Sequence, residues 1–482
     1  MAEVVNLLSS ESYEFTIKGT LKELLTYKSG IFGIAFLILL AILSVYTIVA
    51  LPYDQTIKLW RGEGGVWLET PRTAQPYWVN YFGQNLPETI KRDSSQSGQS
   101  GTVKIVTPIP QSSLKLARIS FTFDFLYDSF PSEINIFFSA KYNESSPYLN
   151  IYWVKPGGAE IKLLTYIPRS QNDELHLSIN PEVLNALNIY VYSVLGGAPE
   201  STLPPEYALF AVEDTSMNST LTAKPLKGSY KLYIDGTLFG DDSDIDAKVI
   251  VYGKVYGLSG TDNQRRDLTI GLLWGIPIAL AFGLTASFMI TFLELLLATI
   301  SGYYGGKIDS VIQRITELYM ILPFLPILIM ISTFYKLDLG VLLVVVIALS
   351  IFGGGIKSTR ALVMQIKEYP YIEAAKAYGA SSKRIVFLYI IPKILPPIIP
   401  ALIGAVPAYV FLEAALAILG LGIPNLPSWG KIINDSFSAG ALYKGNYYWV
   451  LEPAFMLIFT SLAFSFIGFA LDKIVNPKLR EV

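Results

Sequence analysis

The sequence predicts a polytopic α-helical membrane protein with a mainly-β domain inserted after its first span. Three observations carry this reading. Of 482 residues, 52% are hydrophobic and only 16% are charged, against a charged share of about 25% in soluble domains. The apolar excess is gathered into long runs, one ending near Leu51 and the others following Asp267. Between them, the segment 52–267 is rich in Tyr, Ser, Pro and Asp and alternates with period two.

The first 28 residues are mixed, with Lys18, Lys22 and Lys28 preceding the first apolar run. Ile31–Leu51 carries no charge, and about 20 apolar residues suffice to cross a bilayer core of about 30 Å. A secretory signal would have a shorter core nearer the start and a small-residue cleavage site, so this run reads as a retained span. Five more span cores follow, at Leu272–Ile300, Ile315–Phe334, Val341–Ile356, Ile394–Leu421 and Tyr448–Leu471. The third span holds Pro323 and Pro326. Prolines at that depth need neighbouring helices or water to satisfy the freed carbonyls, so this span faces other helices.

Lysines and arginines set the orientation. The segment 357–393 carries Lys357, Arg360, Lys367, Lys376, Lys383, Arg384 and Lys393 against Glu368 and Glu373. Lys307 and Arg314 in the loop Gly305–Arg314, and Lys473, Lys478 and Arg480 in the tail, fall on the same side if there are six spans. The expectation is a multi-pass cell-membrane protein with both termini cytoplasmic. Residues 1–51 form the cytoplasmic N-terminus and first span, 52–267 the extracytoplasmic domain, and 268–482 the core with five spans.

Within 52–267, alternating runs recur at Leu114–Leu126, Glu133–Tyr142, Glu160–Ile167, Glu174–Ile179, Leu187–Leu195, Tyr207–Val212, Tyr230–Ile234 and Ile245–Tyr256. Most are bounded by Pro, Gly, Asn or Asp, the pattern of an antiparallel sandwich. Asp93–Gly101 reads as a mobile loop or linker.

Several chemistries are excluded. The absence of cysteine removes disulfides, thiolate metal sites and cysteine nucleophiles. The single histidine, His176, lies in an alternating strand and reads as a structural or surface residue, with no second histidine to share a metal. A net charge of −2 gives no argument for a nucleic-acid partner. Gly302–Lys307 lacks the first glycine of a phosphate loop, and Ile308 stands where a magnesium-holding Ser or Thr would be. No ATP, magnesium or other cofactor is therefore expected on this chain.

The most informative stretch is Tyr369–Pro392, YPYIEAAKAYGASSKRIVFLYIIP. Locally it is a short helix, a break and a second helix. Pro370 suits the first turn and Gly379 the position just past the end. Glu373 favours the positive helix end, and Ser381 or Ser382 can cap the next helix. Those features alone also describe a well-capped loop between spans. The combination of Glu373, Ala374, Ala375, Gly379 and the Tyr389–Pro392 end, however, resembles the signature of permease subunits of binding-protein-dependent ABC importers. Ile391 replaces the family's usual leucine.

The resemblance runs from about Gly257 to the C-terminus. Gly260–Asp267 (GTDNQRRD) resembles the segment before the second span in dipeptide, oligopeptide and nickel permeases, with Arg265 at the usual glycine; Asp267 also reads as a cap of the following helix. Gly302–Asp309 (GYYGGKID) matches a family turn, and Glu413–Gly430 (EAALAILGLGIPNLPSWG) a third family stretch. Together they identify a C-type permease of the dipeptide class. This implies a type I importer fold in which the Glu373 helix docks on an ATPase. It implies a B-type permease partner, two ATPase subunits holding ATP and magnesium, and an extracytoplasmic solute-binding protein. The resemblance implies short peptides as cargo, with oligosaccharides as an alternative. It does not cover the segment 52–267 before about Gly257, and that domain is expected to work as a docking or gating platform near the receptor.

Two readings from other classes stand beside it. A membrane-anchored surface protein explains the large insert but not Tyr369–Pro392. A secondary transporter needs acids inside spans; those present are Glu294, Glu317 and Glu413, with Glu317 in the first turn of its span. Asn143, Asn218 and Asn434 begin Asn-x-Ser/Thr tripeptides on segments expected outside, where glycosylation would use them.

Overall fold

The computed structural model describes residues 17–475 apart from 97–99, 144, 336 and 423–425. Lys478 and Arg480, both chain ends, and parts of the Asp93–Gly101 and Glu413–Gly430 stretches lie outside the described residues. The chain divides into two compact units. One combines the residues up to Arg61 with those from Ile270 onward; the other is Gly62–Thr269.

The first unit opens with helices α1 (Ile17–Leu24), α2 (Lys28–Ala50) and α3 (Tyr53–Arg61). Helix α2 carries no charge after Lys28 and is apolar and long enough to cross a membrane.

The second unit is built on strands β1 (Ile90–Asp93), β2 (Thr102–Pro108), β3 (Leu114–Phe125), β4 (Glu133–Lys141), β5 (Tyr148–Val154), β6 (Glu160–Tyr166), β7 (Asn172–His176), β8 (Gly228–Phe239) and β9 (Asp244–Tyr252), with helices α4 (Pro181–Leu195) and α5 (Pro205–Phe210). The strands form a 4-stranded sheet, β1-β9-β4-β7, and a 5-stranded sheet, β2-β3-β8-β5-β6. Every pairing within them is antiparallel. Alternate residues of both sheets point into one core: Phe121, Phe123 and Phe125 from β3, Ile134 and Ile136 from β4, Leu232 and Ile234 from β8, and Val249 and Val251 from β9. Fully burying such a side chain is worth about 1.5–3 kcal/mol, which explains how the unit holds together without disulfides. An aromatic knot of Phe123, Trp153, Phe210 and Tyr230 joins α5 to the larger sheet.

Two of the expected strands are helices. Leu187–Leu195 falls within α4 and Tyr207–Val212 overlaps α5. The side chain of Asn180 caps α4 by accepting from the amides of Glu182 and Val183. Pro181 occupies the first turn, and Val183, Leu187 and Val191 form a buried stripe at four-residue spacing. In α5, Pro205 pre-sets the first turn in the same way. Strands β1, β2 and β5 were not among the alternating runs. His176 ends β7, with Nε2 3.5 Å from Glu174 Oε1.

The first unit continues with α6 (Leu268–Tyr304), α7 (Gly306–Ile321), α8 (Phe324–Phe334), α9 (Leu339–Ser350), α10 (Gly354–Lys367), α11 (Pro370–Ala377), α12 (Ser382–Ile385), a π turn (Val386–Ile390), α13 (Ile391–Ile418), α14 (Trp429–Ser438) and α15 (Tyr448–Val475). Among the described residues, 4 unbroken stretches are long and apolar enough to cross a membrane, or up to 6 if each bent pair counts as one. The expected spans Ile315–Phe334 and Val341–Ile356 are the bent pairs: α7 and α8 meet at 79°, α9 and α10 at 51°. The first break has a local cause. Pro323 drives Leu322 out of the helical region, to φ −67° and ψ 133°. The second lies at Gly353, which is extended. Glu317 consequently sits towards the end of α7, near Arg314 and Lys357, and not in the first turn of a span.

Helices α2, α13 and α15 share a core, with Gly33 of α2 so close to α15 that an added Cβ would lie 2.7 Å from Ile467. Such close approach through small residues is how helices associate where water supplies no driving force.

Candidate functional site

The stretch 357–393 is helical for most of its length. Helix α11 begins at Pro370 and carries Glu373 in its first turn and Lys376 in its last, matching the helix dipole at both ends. Its end is fixed by Gly379 at φ +78°. The Gly379 amide donates to Lys376 O at 2.9 Å and the Ala380 amide to Ala375 O at 3.0 Å. That pair of bonds is the Schellman closure, which wants glycine at its left-handed position. Ser381 then caps α12, its hydroxyl accepting from the Arg384 amide.

One face of α11 is anchored and the other is free. Ile372 is fully buried in a cluster with Leu295 and Tyr303 of α6, Val363 and Ile366 of α10, Ile385, Ile390, and Ile394 and Ile398 of α13; Ala375 packs against it. Glu373, Ala374, Lys376 and Gly379 are exposed, and Tyr378 is 92% exposed. Among the described residues Glu373 makes no ion pair. The result is a short, rigid helix presenting an acid, small residues and an aromatic ring outward, on a plug that reaches three long helices. Ile372 thus packs α11 against α6, α10 and α13 at once.

The Gly302–Asp309 turn braces the same region. Arg360 of α10 grips Asp309 with two bonds, Nε to Oδ1 at 2.6 Å and Nη2 to Oδ2 at 2.5 Å. Ser301 Oγ donates to the same carboxylate at 2.5 Å. Forked arginine–carboxylate pairing fixes orientation as well as distance. Gly302 lets α6 touch α10: an added Cβ would lie 2.9 Å from Val363. Lys367 lies over the Tyr303 ring at 5.9 Å. The sequence flagged Asp309 through its motif, but Arg360 had registered only as one more basic loop charge.

The Glu413–Gly430 stretch is a packing device. Glu413 is buried, with the Ser428 side chain in reach of its carboxyl. Gly420 ends α13 at φ +80° in a second Schellman closure, the Leu421 amide donating to Leu416 O at 2.9 Å. Trp429 is buried against Gly275 of α6 and donates Nε1 to Leu272 O at 2.9 Å. Gly430 abuts α13, where an added Cβ would meet Ala414 Cα at 2.6 Å. Glu294 of α6 lies against the break before α10: an added Cβ at Gly355 would come within 2.6 Å of its carboxyl carbon.

In the other unit, Gly260–Asp267 is a buried, hydrogen-bonded turn. Thr261 Oγ1 donates to Pro71 O at 2.8 Å and accepts from the Ala74 amide at 2.9 Å. Asp262 accepts from the amides of Gln264 and Arg266. Asp267 caps α6, accepting from the Thr269 amide at 2.9 Å. Arg265, standing at the glycine of the resembled motif, adopts φ +67°. Its strain, about 1–2 kcal/mol, is offset by an ion pair with Glu133, a bond to Thr70 O at 2.6 Å and stacking 4.4 Å from the Tyr252 ring.

The sequons differ in setting. Asn143 is exposed in the bend after β4. Asn218 accepts from the Glu200 amide at 2.9 Å. Asn434 sits in α14 and donates Nδ2, the atom a glycan would need, to Ala417 O at 3.1 Å.

Residues 294–481 match the family model described as binding-protein-dependent transport system inner membrane component. The dipeptide transport system permease protein of Bacillus subtilis is 34% identical over 225 residues, covering 46% of this chain and 69% of that protein. The oligopeptide transport system permease protein of the same organism is 31% identical over 225 residues, 46% of this chain and 72% of that one. Its Escherichia coli K12 counterpart is 32% identical over 222 residues, again 46% and 72%.

Proposed function

Because the chain belongs to the binding-protein-dependent transport inner-membrane components, among the dipeptide and oligopeptide permeases, we propose that it forms one membrane-spanning half of an ATP-driven peptide importer whose power stroke enters through α11. The observation that carries this is the asymmetry of α11: Ile372 buried among α6, α10 and α13, with Glu373, Ala374 and Tyr378 free on the opposite face.

The permease assignment rests on named relatives that move dipeptides and oligopeptides, which favours peptides over sugars as cargo. The finer reading is ours. Six spans, each bent pair counted as one, leave both termini and α11 in the cytoplasm and the β unit outside. A B-type permease completes the pore. Two ATPases hold ATP and magnesium and dock on α11, where Glu373, Ala374 and Gly379 of the motif face outward and Ala375 seats the helix against its anchor. A solute-binding protein delivers peptide from outside. ATP binding closes the ATPases and shifts α11 as a rigid body, which switches the pore from inward-open to outward-open. No step of the hydrolysis falls on this chain.

Glu373→Lys reverses the charge on the free face without touching the anchor. The expected outcome is normal membrane insertion, loss of ATPase co-purification and loss of peptide uptake. Uptake at the unsubstituted rate, with the ATPase still bound, would remove α11 from the docking role.

A further inference from the structure

The β unit carries an aromatic surface that the peptide-import reading does not use. The turn Tyr77–Phe82, YWVNYF, bears no charge. Tyr81 and Phe82 are 79% and 78% exposed, and Trp78 and Tyr77 more than a third exposed. The rings are ordered in pairs, Tyr77 edge-on to Tyr81 at 6.0 Å and Trp78 edge-on to Phe82 at 6.1 Å. Leu258 extends the patch and is 71% exposed. Leaving rings of this size in water forgoes their burial energy, so the surface calls for a cover.

Hydrogen bonds tie this turn to the start of α6. Trp78 Nε1 donates to Leu258 O at 3.0 Å. The Tyr77 amide donates to Gly257 O at 2.9 Å, and the Gln75 amide to Lys254 O at 2.7 Å. Two residues beyond Leu258, Gly260 O accepts from the Leu268 amide at 3.1 Å. Leu268 is the first residue of α6, which is long and apolar enough to cross a membrane. The Leu258 end of the patch is therefore held within about 10 Å of the first residue of α6, two residues covering about 7 Å of chain.

We propose that Tyr77–Phe82 and Leu258 form a membrane-interface anchor that seats the β unit on the lipid surface at the α6 entry. Tyr and Trp, with an apolar body and a polar tip, belong at the headgroup level. The uncharged turn suits a zwitterionic surface, and the Trp78 indole N–H is already satisfied by Leu258 O. Lipid is favoured over a protein cover because the turn is bonded to Gly257 and Leu258, and Gly260, two residues on, is bonded to the first residue of a helix long and apolar enough to span a membrane. The proposal rests on α2 and α6 crossing the bilayer, and does not depend on the cargo.

The chain contains no cysteine, so single-cysteine variants label cleanly. Phe82→Cys and, independently, Tyr81→Cys would carry an environment-sensitive fluorophore on the full chain in phosphatidylcholine nanodiscs. Leu221→Cys, at a 95% exposed site of the same unit, gives the water reference. Ile42→Cys in α2 gives the lipid reference. Lipids bearing a nitroxide high on the acyl chain are then added. The expected result is a blue-shifted emission at positions 81 and 82 and quenching several-fold above position 221. Quenching at 42 with none at 81 or 82 overturns the anchor alone. A blue shift at 82 without lipid quenching means a protein surface covers the turn, and also overturns it. No quenching at 42 removes the membrane premise and the anchor with it.

Discussion

Lys155 is the clearest case of one residue answering to two demands. Its side chain is fully buried, and Nζ donates to Ala211 O at 2.6 Å, just past the end of α5. Glu213 lies 3.6 Å away and the Tyr190 ring 5.4 Å. Burial pushes the Lys155 pKa down to about 8, with Glu213 opposing. Between about pH 8 and the ordinary lysine value, the unfolded chain therefore holds the proton that the folded chain has released. Stability contributed by this group rises with pH across that window, and is flat below it where both states are charged. A neutral amine still donates to Ala211 O, so the bond survives deprotonation. In Lys155→Met the carbonyl is orphaned, which costs about 1–3 kcal/mol. Below about pH 8 that loss is set against relief of burying a charged amine, so parent and variant lie closer together there. The melting temperature of the parent minus that of the variant should rise from pH 8 to pH 10, as followed by tryptophan fluorescence in detergent; a constant difference would mean Lys155 does not titrate in that window.

At the scale of the element, capping decides what alternation leaves open. Asn180→Ala removes the acceptor for the Glu182 and Val183 amides. It is expected to cost about 1 kcal/mol, which lowers the melting temperature of a domain this size by about 2–4 °C. An unchanged melting curve would show that tertiary contacts alone hold α4. The same residues explain an error of reading. Leu187–Leu195 alternates well enough to pass for a strand, but Asn180, Pro181 and Glu182 precede it as a start signal, and the four-residue stripe from Val183 to Val191 is the stronger period. Strand β5, YLNIYWV, alternates cleanly with Leu149, Ile151 and Trp153 buried, so its signal was present and overlooked. By contrast, β2 is an edge strand with most residues exposed, and its pairing with β3 is not written locally. The α11 boundaries were legible because Pro370, Gly379 and Ser381 each have a local job. The bends were only half legible: Pro323 stands in the third span as the cause of the first, but hydropathy averages over Leu322 and Gly353, and the angle itself leaves no trace in that average. Arg360 was unreadable as a brace because its partner Asp309 lies 51 positions away.

For the whole molecule, the question is whether the β unit is a domain in the thermodynamic sense or needs the helices to hold it. Gly62–Thr269 forms its own compact unit, and about 200 residues bury enough surface for independent stability. Its core draws on both sheets and on α4 and α5. Its two chain ends are tied together inside it: the Thr73 amide donates to Asp262 O at 3.0 Å, and Arg265 bonds Thr70 O and pairs with Glu133. An insert whose ends are clamped by its own hydrogen bonds carries its closure with it. Residues 62–269 expressed alone are therefore expected to be soluble once Tyr81 and Phe82 are changed to Ser, and to give a strand-dominated circular dichroism spectrum with a single cooperative melt. Arg265→Ala should lower that melt by more than Asn180→Ala does, because it breaks the clamp and leaves Glu133 half-buried with only the longer Arg72 contact at 3.7 Å. A broad, non-cooperative melt of the parent fragment would mean that the helices entering and leaving at Arg61 and Ile270 are part of what folds it.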